Sequence, residues 1–377
     1  MEKADSSRLL GGQTAAAFLA RYWQKEALLV RGALPASTDV VDRDALFALA
    51  ARDDVESRLV RRARGRYTLD DGPFRVRDLQ RLPPRDWTLL VQGVNLHVDA
   101  GDALLRRFAF VPYARLDDLM VSYAVPGGGV GPHFDSYDVF LLQTLGRRRW
   151  CYGRQDDLRL RPGAPLRILS RFVPRHEATL ARGDMLYLPP EYAHDGVALD
   201  CCMTYSIGFR APLDQELAEA FLDHLRDTVA LPGRYADPDL APTRAPGRID
   251  VRMRRHAAAA LARVAWRRHD VDRFLGRYLT EPKAGVTFAP PRSRAPAAFA
   301  PRLARDGVHL DRRTQLLYDD ARYYVNGDDA PLPDTGRELL QRLADRRSLS
   351  AADCRALPAP IVEILREWHR SGFLAES

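Results

Sequence analysis

Three side chains in this chain, His133, Asp135 and His194, are of the types and spacing that hold a metal ion. His133 and Asp135 stand two apart in the stretch PGGGVGPHFDSYDVF, which begins at Pro126. On an extended chain, residues two apart project from the same face, so both can reach one ion, and the glycines let the backbone pass close to it. His194 follows a Gly183-Asp184 turn, a strand from Met185 to Leu188 and a Pro189-Pro190 turn. Two neutral imidazoles and one carboxylate on one side of an ion form the facial set of non-haem Fe(II) oxygenases, with three positions left open. Two of those positions suit a chelating cosubstrate and the third suits dioxygen.

Spacing alone does not single out this pair. With nine histidines and 50 acidic residues among 377, about one His-x-acid triplet would arise by chance. There are three, at His97-Asp99, His133-Asp135 and His309-Asp311. The glycine-rich approach and the compatible third ligand distinguish the middle one. His97 and Asp99 read as a strand end and a helix cap. A phosphate-binding reading of the glycines fails, because such a loop opens a helix, whereas Tyr137 to Leu142 reads as strand.

The elements around these residues fall into three regions. Up to about Arg210, short alternating or apolar runs between Gly, Pro and Asp turns predict an antiparallel β fold, with helices near Gln13 to Tyr22, Arg43 to Ala51 and Asp99 to Arg107. After Pro212 the period changes, and Leu213, Leu217, Phe221 and Leu225 share one helical face. A second amphipathic segment runs from about Ile249 to Tyr278. A Pro-rich linker, Phe288 to Pro301, then leads to a third unit of mixed strands and helices. The apolar helical faces predict a homodimer through Leu217, Phe221, Leu225, Leu261 and Trp266.

Composition narrows the function classes. The chain is 46% hydrophobic and 28% charged, a globular balance, and no apolar run approaches the ~18 residues of a membrane helix. The start lacks the basic-then-apolar pattern of a secretion signal, and the four cysteines show no CxxC spacing. A cytoplasmic protein with reduced, packing cysteines is expected. The net charge of +7 is spread among scattered arginines without a contiguous basic stripe, so nucleic acid is not expected as a direct substrate.

The motif His133-x-Asp135 with His194, preceded by RGDMLYLPP, resembles the JmjC class of the cupin fold. More narrowly, FLARYWQKEALLVRGAL, DDLMVSYAVPGGGVGPHFDSYDVFLLQTLGRRRW, YSIGFRAP and GRYADPDLAP together resemble the bacterial ribosomal protein arginine hydroxylases of the YcfD type. The resemblance implies an α+β chain. A double-stranded β-helix (jelly-roll, cupin/JmjC) oxygenase domain would span residues 1–210, a helical dimerisation region 211–287, and a winged-helix-like domain 288–377. It implies Fe(II), 2-oxoglutarate as cosubstrate, dioxygen, and 3-hydroxyarginine formed on the large-subunit ribosomal protein L-sixteen. Another JmjC enzyme, a histidine hydroxylase or a demethylase, would use the same triad. A non-catalytic cupin binding module is the alternative from a different class.

Strand parity places further residues. Arg148, Trp150 and Tyr152 share one face of a strand, and the aromatic face should be the inner one. A buried Arg148 there can clamp the distal carboxylate of 2-oxoglutarate. Ser122 lies opposite in parity to Val121 and Tyr123, and it resembles the family residue that helps hold the cosubstrate. Asp118 at the start of the same strand, and Tyr137 on the face of His133 and Asp135, would suit a guanidinium substrate. Ser206 is a third candidate for the substrate pocket.

Overall fold

The structure, a computed structural model, describes residues 8–35, 38–291 and 299–375. The middle of the expected Pro-rich linker, 292–298, lies outside the described residues. The chain divides into two compact units. One comprises Met1–Ala211, Lys283–Thr314 and Arg346–Ser377, and the other Pro212–Pro282 and Gln315–Asp345.

In the first unit two antiparallel sheets pack face to face. Their strands are β1 (Leu28–Val30), β2 (Ser57–Ala63), β3 (Arg66–Asp71), β4 (Trp87–Val91), β5 (Leu116–Ala124), β6 (Val139–Leu145), β7 (Arg148–Arg154), β8 (His176–Leu180), β9 (Met185–Leu188), β10 (Tyr192–Ala198) and β11 (Cys202–Phe209). The larger sheet has the order β1-β9-β6-β11-β5-β4-β2-β3, and the smaller β10-β7-β8. The non-consecutive neighbours β1-β9-β6-β11-β5 and β10-β7 give the jelly-roll winding expected from the sequence.

The larger sheet has two different faces because successive strand residues alternate. Leu119, Val121 and Tyr123 of β5, Phe140 and Leu142 of β6, and Tyr205, Ile207 and Phe209 of β11 enter the main apolar core. Two N-terminal helices close that core. α1 (Ala15–Arg21) is capped by Thr14, whose hydroxyl accepts from Ala17 N at 3.1 Å. α2 (Arg43–Leu49) is capped by Asp42, which accepts from Ala45 N at 2.8 Å. Phe18 of α1 is fully buried, its ring 5.0 Å from that of Tyr187. Burial of one such side chain contributes about 1.5–3 kcal/mol. The opposite face looks toward the smaller sheet. At one end it is apolar, Val139, Leu141, Leu186 and Leu188 packing on Trp150, Tyr152, Ala178 and Leu180. At the other end it is polar.

The helix expected near Asp99 is α3 (Asp99–Arg106), but Val98 is its N-cap. Asp99 instead pairs with Arg312 at 2.6 Å, so it sits in the first turn rather than capping it. Of the four cysteines, Cys202 and Cys354 are buried and Cys201 is exposed, and all are free thiols.

In the second unit the stretch expected as one helix is two, α4 (Val251–Leu261) and α5 (Arg268–Thr280). The Asp270 carboxylate accepts from the Arg267 backbone N–H at 2.8 Å and starts a new helix there. Phe221, on helix Asp214–Thr228, packs on Phe274 of α5 and on Trp266, at 5.2 and 5.5 Å between ring centroids. Among the described residues no helix is long and apolar enough to cross a membrane.

One contact of the first unit fixes a wall of the polar space. Gly196 of β10 lies opposite Trp150 of β7, and a Cβ at Gly196 would stand 2.6–2.9 Å from the indole ring. Gly196→Ala should therefore destabilise the protein by roughly 1–3 kcal/mol, the range for overpacking a filled interior. Urea unfolding checks this, and an unchanged midpoint would mean that the ring can move aside.

Candidate active site

Two backbone hydrogen bonds set the site. His133 N donates to His194 O at 3.0 Å, and His194 N donates to His133 O at 2.8 Å. This bridge attaches the glycine-rich loop to β10 and brings the two imidazoles to 4.2 Å between ring centroids. Asp135 is held by its own backbone, its carbonyl accepting from Glu191 N at 2.8 Å. One donor atom from each of His133, Asp135 and His194 then lies within 4.8 Å of the others, and His194 Nε2 is 3.7 Å from Asp135 Oδ2.

The donor set fits a divalent transition metal. His133 Nδ1 bonds to Gly131 O at 2.8 Å and His194 Nδ1 to Tyr192 O at 2.9 Å. A carbonyl only accepts, so both Nδ1 atoms carry the proton and both Nε2 lone pairs are free to ligate. Burial, followed by the neighbouring His133, pushes the His194 imidazole down to about 4, which keeps it in the neutral form a metal requires.

At the polar end between the sheets is a cavity of about 370 Å³. Every residue assigned to the site from sequence lines it: His133, Asp135, His194, Ser122, Arg148, Asp118, Tyr137 and Ser206. Arg148 is buried at 5% exposure, and its Nη1 donates to Ser122 Oγ at 3.2 Å. Ser122 Oγ in turn donates to Thr204 O at 3.3 Å. Arg148 Nε and Nη2 are buried without a hydrogen-bond partner in the protein. Two parallel unfilled donors on a buried guanidinium are a seat for a carboxylate. Trp150 touches both ends of the space, with its ring 5.6 Å from Arg148 Cζ and 5.7 Å from the His194 ring.

Asp118 and Tyr137 flank Gly208 of β11. A Cβ at Gly208 would stand 3.5 Å from Asp118 Oδ1 and 3.8 Å from the Tyr137 ring, so the absent side chain leaves a gap between carboxylate and phenol. Asp118 Oδ2 accepts from Gly93 N at 3.0 Å. The Gln92 amide, oriented to satisfy its neighbours, donates to the same oxygen at 3.2 Å and accepts from Arg58 at 2.6 Å. Burial raises the Asp118 carboxyl above its ordinary value, with Lys283 opposing and Asp117 adding to the effect. The Asp135 charge, then burial, raises the Tyr137 phenol.

Sequence reasoning missed Thr88, Arg58, Gln92 and Gly208, all of which line this cavity. Only Thr88 carried a signal, a lone hydroxyl in the apolar run WTLLV.

A jelly roll holding such a triad beside a buried arginine defines a class, and the chain belongs to the JmjC-domain ribosomal oxygenase family. The JmjC domain matches residues 103–217 and a ROXA-like winged helix matches residues 262–375. Over 339 residues the chain is 33% identical to the ribosomal protein uL16 3-hydroxylase of Escherichia coli (strain K12), covering 89% of each chain. The crystal structure of E. coli YcfD superposes with a TM-score of 0.82 at 30% identity, covering 96% of this chain and 97% of that one. The E. coli YcfD ribosomal oxygenase in complex with cobalt and 2-oxoglutarate superposes with a TM-score of 0.79 at 31% identity, again covering 96% and 97%.

Removing one imidazole should open the triad without unfolding the sheets around it. His194→Ala should bind Fe(II) more than about 100-fold more weakly, beyond the 10–100-fold that loss of an outer partner alone produces. Calorimetric titration with the metal measures this, and affinity equal to the parent protein would remove His194 from the ligand set.

Proposed function

We propose that the protein is an Fe(II)- and 2-oxoglutarate-dependent oxygenase that hydroxylates the β-carbon of an arginine side chain in a large-subunit ribosomal protein. The reading rests on the relatives named above and on one observation: an acid and a phenol open across Gly208 into the cavity that holds the triad. Bound Fe(II), with 2-oxoglutarate and dioxygen, supplies the oxidation of an unactivated C–H bond, giving hydroxylated product, succinate and carbon dioxide. The chain supplies position and charge. His133, Asp135 and His194 hold the metal on one side and leave the other open. Arg148, steadied by Ser122, takes the distal carboxylate of the cosubstrate. Asp118, Tyr137 and Ser206 hold the substrate side chain with its β-carbon toward the metal.

Residues 1–210 would carry this chemistry, 211–287 self-association and 288–377 a winged-helix-like segment, in a cytoplasmic enzyme. The substrate assignment is tested with a peptide from the candidate ribosomal protein and its Arg→Lys and Arg→His variants, read by mass spectrometry for one added oxygen. Only the arginine peptide should gain it, and Asp118→Ala should reduce turnover at least about 100-fold, the scale of a lost buried charge pair, while sparing metal and 2-oxoglutarate binding. Equal oxidation of the histidine peptide, or full activity of Asp118→Ala, would overturn the arginine assignment.

A homodimer belongs to the same proposal. The second unit leaves large apolar side chains exposed, among them Leu222 at 64%, Leu261 at 70% and Trp266 at 52%. Leu225, by contrast, is buried within its own chain, so the self-contact would be carried by Leu261 and Trp266 more than by Leu225. Light scattering at micromolar concentration should give twice the chain mass, and Leu261→Glu should shift it toward the monomer. A parent protein of single-chain mass would reject the dimer.

A further inference from the structure

Buried polar atoms without partners are few in a folded protein, and each one left so costs about 1–3 kcal/mol. Among the described residues nine side-chain atoms are in this state, and five of them gather around one space. Arg58 Nε, Thr88 Oγ1, Arg148 Nε, Arg148 Nη2 and Trp150 Nε1 all lack a hydrogen-bond partner, and all four residues line the active-site cavity. Thr88 is the unexpected member. It is 1% exposed, and threonine in a central strand normally satisfies its hydroxyl locally. Thr204, a buried threonine on β11, does so by donating to Gln143 Oε1 at 3.0 Å.

The register places Thr88 beside the Arg148 clamp. In the pairing of β4 with β5, Thr88 lies opposite Ala124, and Leu90 lies opposite Ser122, the residue that Arg148 grips. In the pairing of β10 with β7, Arg148 lies opposite Ala198. Ala124 and Ala198 pack together with Cys202. Thr88 and Arg148 therefore flank a contact between small side chains that spans the two sheets. Ser122 has its hydroxyl proton engaged with Thr204 O, so it steadies the guanidinium and leaves no hydroxyl donor for a ligand.

We infer that Thr88 donates a hydrogen bond to the distal carboxylate of 2-oxoglutarate, completing with Arg148 Nε and Nη2 a three-donor seat for that anion. The inference rests on the cosubstrate reading above and extends it to a residue outside the strands that carry the triad. Two carboxylate oxygens offer about four lone-pair sites, enough for all three donors.

Binding to the full-length protein loaded with Mn(II), which reports affinity without turnover, tests this by calorimetry. Thr88→Val should weaken 2-oxoglutarate by about tenfold to a hundredfold, the range of a hydrogen bond to a charged group. It should leave 2-oxovalerate, which lacks the distal carboxylate, unaffected. Thr88→Ser should bind 2-oxoglutarate as the parent does. The melting temperature of the ligand-free Thr88→Val protein should hold or rise, because an unsatisfied hydroxyl has been removed. Unchanged 2-oxoglutarate affinity, equal loss for both acids, a serine variant as weak as the valine one, or a lowered melting temperature would each overturn the role and return Thr88 to packing. Arg148→Ala separates the two levels. If it binds 2-oxoglutarate like the parent, the cosubstrate reading itself fails; if it is weakened while Thr88→Val is not, only the role of Thr88 is lost.

Discussion

The site depends on a pair of reciprocal backbone hydrogen bonds, His133 N to His194 O and His194 N to His133 O. The bridge is extended by Gly127 N to Ala198 O and Ala198 N to Gly128 O, each 2.9 Å, so the glycine-rich loop runs as an irregular edge along β10. A loop that close needs glycine for space rather than for phosphate. A Cβ at Gly128 would stand 2.1 Å from Trp87 O, and one at Gly129 would stand 2.4 Å from Gly196 O. Side chains at these positions would push the loop off the sheet and separate the imidazoles.

Around that bridge the protein tolerates an expense that a purely structural interior would avoid. A buried guanidinium with two empty donors, a buried hydroxyl and a buried indole N–H share one cavity, although the Thr204 hydroxyl and the Gln143 amide on β11 and β6 of the larger sheet are satisfied. Polar groups left unpaired in this way lower the stability of the empty protein and are offset when an anion arrives. The apolar core behind the larger sheet, with Phe18, Phe140 and Tyr187 in mutual ring contact and Phe209 on Phe140, supplies the burial that holds the strands rigid despite that deficit.

What the sequence made legible follows from local rules. The two-residue spacing of His133 and Asp135, and the parity that put Arg148 and Trp150 inward and Ser122 opposite to Val121, depend only on strand alternation. The partners of Asp118 depend on pairing between distant strands. Gln92 and Arg58 reach it only because β4 lies between β5 and β2, and no local pattern announces that order. The break between α4 and α5 escaped for another reason. The apolar spacing of that segment continues through it, while the Asp270 cap that ends the continuity is one acid among many.

The geometry at Asp118 explains how a single carboxylate could favour a guanidinium over other cations. Its Oδ2 is occupied by the Gly93 N–H and the Gln92 amide, which fixes the plane of the carboxyl and leaves Oδ1 facing the gap at Gly208. The second acceptor is the Tyr137 phenol, on the other side of that gap and supplied by a different element. Two acceptors held apart on separate elements match a planar group whose N–H bonds diverge at fixed angles, as those of a guanidinium do. An ammonium carries all its donors on one nitrogen and reaches two acceptors only where both lie close to that single atom. A neutral imidazole would leave uncompensated a carboxylate that burial already penalises. If the site takes an arginine as proposed, Gly208, which has no side chain to put between the Asp118 carboxylate and the Tyr137 ring, is the residue that keeps the gap for it open.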